Sequence, residues 1–210
     1  MNLTRVSYER NGTMNKQKNS NRMNGRDLIN IGIYSAIYLV LAIGLAMTGL
    51  IPIFLILLSS MYGLICGIPF MLFLTKVKKP GMIFIMSLIM GIVMFATGMT
   101  WMPIPFSILT GIIAELVYRS GNYKSMKAAV ITCGVFPMWA CGNYLPLFLQ
   151  REQYFAERTS YGEEYVQTIM SMTPNWMFLV LLIMTFVSGI IGGMIGKKLL
   201  KKHFMKAGIA

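Results

Sequence analysis

Nearly uncharged runs alternate along this chain with short basic clusters, and the runs have the length of membrane-crossing helices. Residues 28–48 carry no charge over 21 positions, which suits the roughly 20 residues that span a hydrocarbon core about 30 Å thick. Further apolar runs cover 53–74, 82–100, 106–118, 126–147 and 176–196. The pattern predicts an all-α polytopic membrane protein. Six transmembrane helices occupy residues 27–200, between a disordered basic tail at 1–26 and a basic tail at 201–210.

Proline and glycine punctuate the runs. Gly49 to Pro52 read as a tight turn, and Pro69 predicts a kink or break in the second helix. Trp101-Met102-Pro103-Ile104-Pro105 reads as a second turn, with Trp101 at interface depth. Pro137 and Pro146 fall inside the fifth apolar run, where neighbouring groups must satisfy the freed carbonyls. Residues 149–175 form one long connection, of a length often found in functional lids. Within it, 162–172 predicts a short amphipathic helix, and Thr173-Pro174-Asn175 a start signal for the last span.

Composition agrees with the pattern. The chain is 56% hydrophobic and 12% charged, well below the roughly 25% charged residues of a soluble domain. The net charge of +12 does not imply nucleic acid, because the basic residues flank apolar runs. Contact with anionic lipid headgroups explains them more simply. With six spans, seventeen of the nineteen Lys and Arg residues share one side; only Arg151 and Arg158 fall on the other. The excess of basic residues in cytoplasmic loops then places both termini in the cytoplasm. The expected location is the cell membrane, as a multi-pass protein of the bacterial plasma membrane type.

Candidate chemistry is sparse. Cys66, Cys133 and Cys141 have no CxxC spacing, and the one histidine, His203, lies in the basic tail. Neither a metal site nor a cofactor is expected. The 20 methionines are spread over every span, which favours adaptable packing over a copper path. There is no HExxH, GxSxG or Walker loop, and the chain is not expected to be an enzyme. Glu163-Glu164 invites comparison with intramembrane proteases of the CPBP type, but Thr168 stands where their arginine would be.

Glu115 is the one acid inside an apolar run, and such residues are functional candidates. It stands four residues before Arg119, a spacing suited to a helix ion pair at the basic end. Gly32 with Ala36, and Ala42 with Ala46, are spaced for close helix approach. They serve either packing within the bundle or docking to another membrane subunit. Trp101, Trp139, Asn143, Tyr144, Tyr154, Tyr161, Asn175 and Trp176 gather towards the base-poor side. They form either an aromatic ligand pocket with a few polar groups or an interfacial aromatic belt.

The stretch Gly111-Ile-Ile-Ala-Glu115-Leu-Val-Tyr-Arg119-Ser-Gly-Asn-Tyr123-Lys-Ser125 resembles the fourth span and following loop of the Trep-Strep family of integral membrane proteins. The run from Trp139 to Pro146 fits the same family, and the resemblance covers about residues 27–203. That family is similar to the substrate-binding S-components of energy-coupling factor (ECF) transporters. The resemblance implies a six-helix protein that binds a micronutrient externally and docks to a membrane T-component driven by two cytoplasmic ATPases. Small residues of the first helix, with Glu115 and Arg119, would then mark the docking side. Two other functions stay open: a small autonomous secondary transporter or channel, and a non-transporting scaffold or regulator. The substrate also stays open among vitamins, metal chelates, haem and modified bases.

Overall fold

The computed structural model describes residues 23–98, 100–156, 162–201 and 205–206, and every described element is helical. Residues 1–22 of the predicted disordered tail at 1–26, Tyr161 and most of the basic C-terminal tail lie outside the described residues, while Gly25 and Arg26 of that tail are helical.

Helix α1 (Gly25–Ala46) begins before the apolar run does. Asn24 Oδ1 accepts from Asp27 N at 3.1 Å, and Asp27 Oδ2 accepts from Asn24 N at 2.8 Å. This capping box draws Gly25 and Arg26 into the helix. The Lys79 ammonium, in the connection that follows the second apolar run, holds Asp27 at 2.8 Å. A 3-10 turn, Met47–Leu50, closes the helix at its other end.

The second run is two helices, α2 (Pro52–Ile65) and α3 (Gly67–Leu74). Pro69 has no N–H, and its ring displaces the carbonyl four residues earlier, that of Ile65. The break therefore falls one turn before the proline, and the ladder resumes with Phe70 N donating to Cys66 O at 3.1 Å.

Helix α4 (Met82–Ala96) stops short of the predicted 82–100 because Gly98 adopts φ +87°. Helix α5 (Pro103–Ser120) is longer than the predicted 106–118. Pro103 and Pro105, read as part of a turn, instead lie in its first turn, where a missing N–H leaves no bond unmade. The fifth run is α6 (Met126–Val135), a 3-10 segment (Phe136–Asn143) and α7 (Leu145–Leu149). Pro137 and Pro146 each stand at the start of a new segment, so neither interrupts a continuous ladder. The long connection holds α8 (Arg151–Ala156) and the expected amphipathic α9 (Glu163–Met172). Helix α10 (Met177–Leu199) ends the fold.

Among the described residues, three stretches are long and apolar enough to cross a membrane: Gly25–Leu50, Pro52–Leu74 and Met177–Leu199. Met82–Ala96 is apolar but shorter.

Glycines set the helix registers. Gly63 faces Ser188 and Gly189, Gly67 faces Gly192, and Met71 faces Gly196, so α2–α3 and α10 run parallel at backbone contact. Gly134 meets Phe186 and Ile190, while Gly193 meets Cys133 and Val130, so α6 runs antiparallel to α10. Gly91 faces Ser107 and Gly111 faces Ser87, which makes α4 and α5 antiparallel. Around these contacts lies a core of Tyr38, Phe70, Phe73, Met71, Met82, Met86, Phe136 and Trp139, each fully buried.

The registers give the bundle two ends. One gathers Arg26, the 76–79 connection, Arg119, Lys124, Lys127, Lys197, Lys198 and Lys201. The other gathers the turns at 47–51 and 97–102 with helices α7 to α9, where Arg151 is the one basic residue among the described positions.

Candidate functional site

Glu115 is buried near the basic end, and its carboxylate does not pair with Arg119. Oε2 accepts the Ile83 and Phe84 backbone N–H groups at 3.0 and 3.3 Å. Oε1 accepts the Tyr123 hydroxyl at 2.8 Å. Glu115 therefore caps α4 from α5: its negative charge meets amides that have no partner inside their own helix. Arg119 points outward at the same end and is exposed.

The opposite end holds a cavity of about 370 Å³, within the range of roughly 300–1,000 Å³ typical of small-molecule sites. Helix α1 and its 3-10 turn supply Ala42, Ile43, Ala46, Met47, Gly49 and Leu50. Helix α2 supplies Leu55, Leu58 and Tyr62, and the end of α4 supplies Met94 and Thr97. Ala140, Asn143, Tyr144 and Tyr154 complete the wall. No charged side chain lines it among the described residues.

The 3-10 segment explains how polar groups arrive there. Pro137 ends α6, and the tighter coil that follows passes Gly142 close against Pro103 and Phe106 of α5. That approach turns Asn143 and Tyr144 towards α2. The Tyr144 hydroxyl donates to Leu55 O at 2.7 Å, which anchors it as a structural wall. Asn143 Oδ1 is sealed from solvent without a hydrogen-bond partner. An unmade bond of this kind costs about 1–3 kcal/mol, and a ligand or water that supplies the bond recovers it.

Four of the expected ligand residues thus gather at one place. Asn143, Tyr144 and Tyr154 line the cavity, and Trp139 lies directly behind it, stacked on Tyr62. Trp139 is fully buried and supports the wall without touching the open space. The structure does not bring Trp101, Trp176 or Asn175 to the cavity. The two tryptophans are 63% and 67% exposed at helix ends, as side chains at a membrane–water interface are. Asn175 borders a separate shallow groove with Phe148 to Gln153.

The small residues of α1 divide as well. Gly32 and Ala36 face outward, and nothing lies within 4 Å of a side-chain carbon built at Gly32. Ala42 and Ala46 face the cavity. Tyr62 was missed in the sequence, although a tyrosine inside an apolar run carries the same signal as Asn143. Leu55, Leu58 and Met94 carry no such signal and are brought to the site only by the helix registers.

Helix α9 reaches over the rim. The Tyr165 hydroxyl donates to Gly49 O, and the buried Ile169 packs with Ile56 of α2. Arg151 donates to Leu147 O at 3.2 Å and to Thr173 O, tying the two sides of the long connection together.

No curated protein and no solved structure matches the chain. Residues 25–206 match the profile of a family described as hypothetical bacterial integral membrane protein (Trep_Strep). With most of its length matched and several apolar helices of membrane-crossing character, the chain belongs to the Trep_Strep family of bacterial integral membrane proteins.

Proposed function

We propose that this protein is the substrate-binding membrane subunit of an ECF-type importer, a binder and not an enzyme. In this reading six spans cross the membrane, α1, α2–α3, α4, α5, α6–α7 and α10, with both termini in the cytoplasm. The observation that carries it is the cavity at the base-poor end, with Asn143 on its wall and the Oδ1 of that residue without a hydrogen-bond partner. The distribution of basic residues supports an outward-facing cavity, since cytoplasmic connections concentrate Lys and Arg. Helix α9, fastened at Gly49, acts as the lid. The exposed Gly32–Ala36 face of α1, with Arg119 at the basic end, is the docking side for a T-component carrying two cytoplasmic ATPases.

The test is purification in native lipid, with mass spectrometry of copurified small molecules and membrane partners. A T-component, its ATPases and a small molecule lost on Ala46→Trp are expected. Uptake into liposomes by this chain alone, without ATP, would overturn the importer reading in favour of an autonomous transporter. Separately, cysteines introduced at position 79 and at position 98 should label from opposite sides of intact cells. Labelling of both from one side would remove the six-span topology.

A further inference from the structure

The geometry points to an uncharged, flat, largely apolar ligand with an amide-like donor–acceptor edge. This inference rests on the cavity being the binding site.

Charge comes first. Among the described residues the cavity wall carries no Lys, Arg, His, Asp or Glu. An ion entering it would shed its hydration and meet no counter-charge. The wall therefore discriminates against phosphorylated, carboxylate and ammonium ligands before any shape is considered. Arg151, on the same helix as the wall residue Tyr154, donates its guanidinium to the carbonyls of Leu147 and Thr173.

Hydrogen bonding narrows the class further. Most polar groups on the wall are committed. The Tyr144 hydroxyl is held by Leu55 O, the Thr97 hydroxyl by Met94 O at 2.7 Å, and Gly49 O accepts from Tyr165. The Asn143 side chain, whose Oδ1 has no hydrogen-bond partner, and the Tyr62 hydroxyl are two further polar groups of the wall. Both are neutral, and each can donate and accept. The terminal amide turns about a broad two-fold torsion, so Asn143 can present either its oxygen or its NH2. A neutral partner carrying a donor beside an acceptor satisfies it in either orientation.

Shape supplies the flat body. Tyr62 lies stacked on Trp139 with ring centroids 6.1 Å apart and planes 9° from parallel. The outer face of Tyr62 is consequently held as a rigid aromatic surface on the cavity. Leu55, Leu58 and Met94 form apolar walls suited to a ring system rather than a sugar.

The test uses one ring with three headgroups. The full chain in nanodiscs is dialysed to equilibrium against 2-naphthamide, 2-naphthoate or 2-naphthylmethylammonium, and uptake by empty nanodiscs is subtracted. The amide should bind at least about tenfold more tightly than either ion. Asn143→Leu should weaken amide binding by about five- to tenfold, and the pocket-filling Ala46→Trp should abolish it. If either ion binds as tightly as the amide and Ala46→Trp abolishes that binding, the ligand class is overturned while the site stands. Amide binding undiminished in Ala46→Trp overturns the site itself. Retention of no probe, or a phospholipid as the only occupant displaced by Ala46→Trp, also overturns the ligand class.

Discussion

Trp139 lies parallel to Tyr62 at a centroid distance of 6.1 Å, so a residue with no exposed surface fixes the aromatic wall of the cavity. Tyr38 and Phe136 complete the cluster, Phe136 stacked in turn on Phe70 at 3.9 Å. Trp139→Ala should therefore act mainly on stability. Removing a buried tryptophan costs about 3–5 kcal/mol, and the thermal midpoint in detergent should fall sharply. Asn143→Ala, which touches the cavity and packs less, should leave that midpoint nearly unchanged while ligand binding weakens. Equal effects of the two on stability would contradict this division.

The Glu115 cap makes a different prediction. Glu115→Ala strips two helix-end amides and the Tyr123 hydroxyl of their acceptor. Hydrogen bonds to a charged group contribute roughly 1.5–3 kcal/mol, so the variant should unfold at clearly lower temperature. Glu115→Gln keeps an acceptor oxygen and should lose less. Ligand affinity, measured on the folded fraction, should be unchanged in both, because the cap and the cavity lie at opposite ends.

Glycines on α10 and α1 should respond oppositely. A side-chain carbon at Gly192 would run into the carbonyls of Gly63 and Leu64. Overpacking a fitted contact costs about 1–3 kcal/mol, occasionally more, and backbone carbonyls cannot rotate away. Gly192→Ala should lower the yield of folded protein. Gly32→Ala meets open space and should fold at least as well as the parent. A larger Gly32→Leu should fold but copurify less T-component, as read by quantitative mass spectrometry; full retention would remove α1 as the docking side.

The latch of α9 can be tested by one oxygen. Tyr165→Phe removes the bond to Gly49 O and keeps the aromatic ring. A neutral hydrogen bond contributes about 1 kcal/mol net, so ligand release in a stopped-flow chase should quicken by about fivefold. An unchanged release rate would mean that α9 is not a lid.

The apolar runs and their basic flanks were enough to reveal a membrane protein of several helices, because a bilayer demands that periodicity whatever the packing inside it. Proline positions showed where ladders fail, although the break at Ile65 appears one turn before Pro69 and Pro103 starts a helix instead of a turn. Those shifts follow from which backbone group a proline removes, which depends on its place in a helix. The amphipathic α9 was legible from charge and apolar spacing alone.

Tertiary structure decided the site. Asn143 and Tyr144 stood out as polar residues in an apolar run, but nothing local separated Trp139, which is buried, from Trp101 and Trp176, which face outward. Aromatic side chains serve a core, a cavity and an interface equally well, so only the helix registers assign them. The same holds for small residues: Gly32 is open while Gly189 and Gly192 sit at backbone contact. Glu115 shows the reason most directly. Its sequence neighbour offers an ion pair at Arg119, yet the carboxylate turns to the amides of Ile83 and Phe84. Hydropathy along the chain is local and survives without a fold, whereas the partner of a side chain is set by which helices meet.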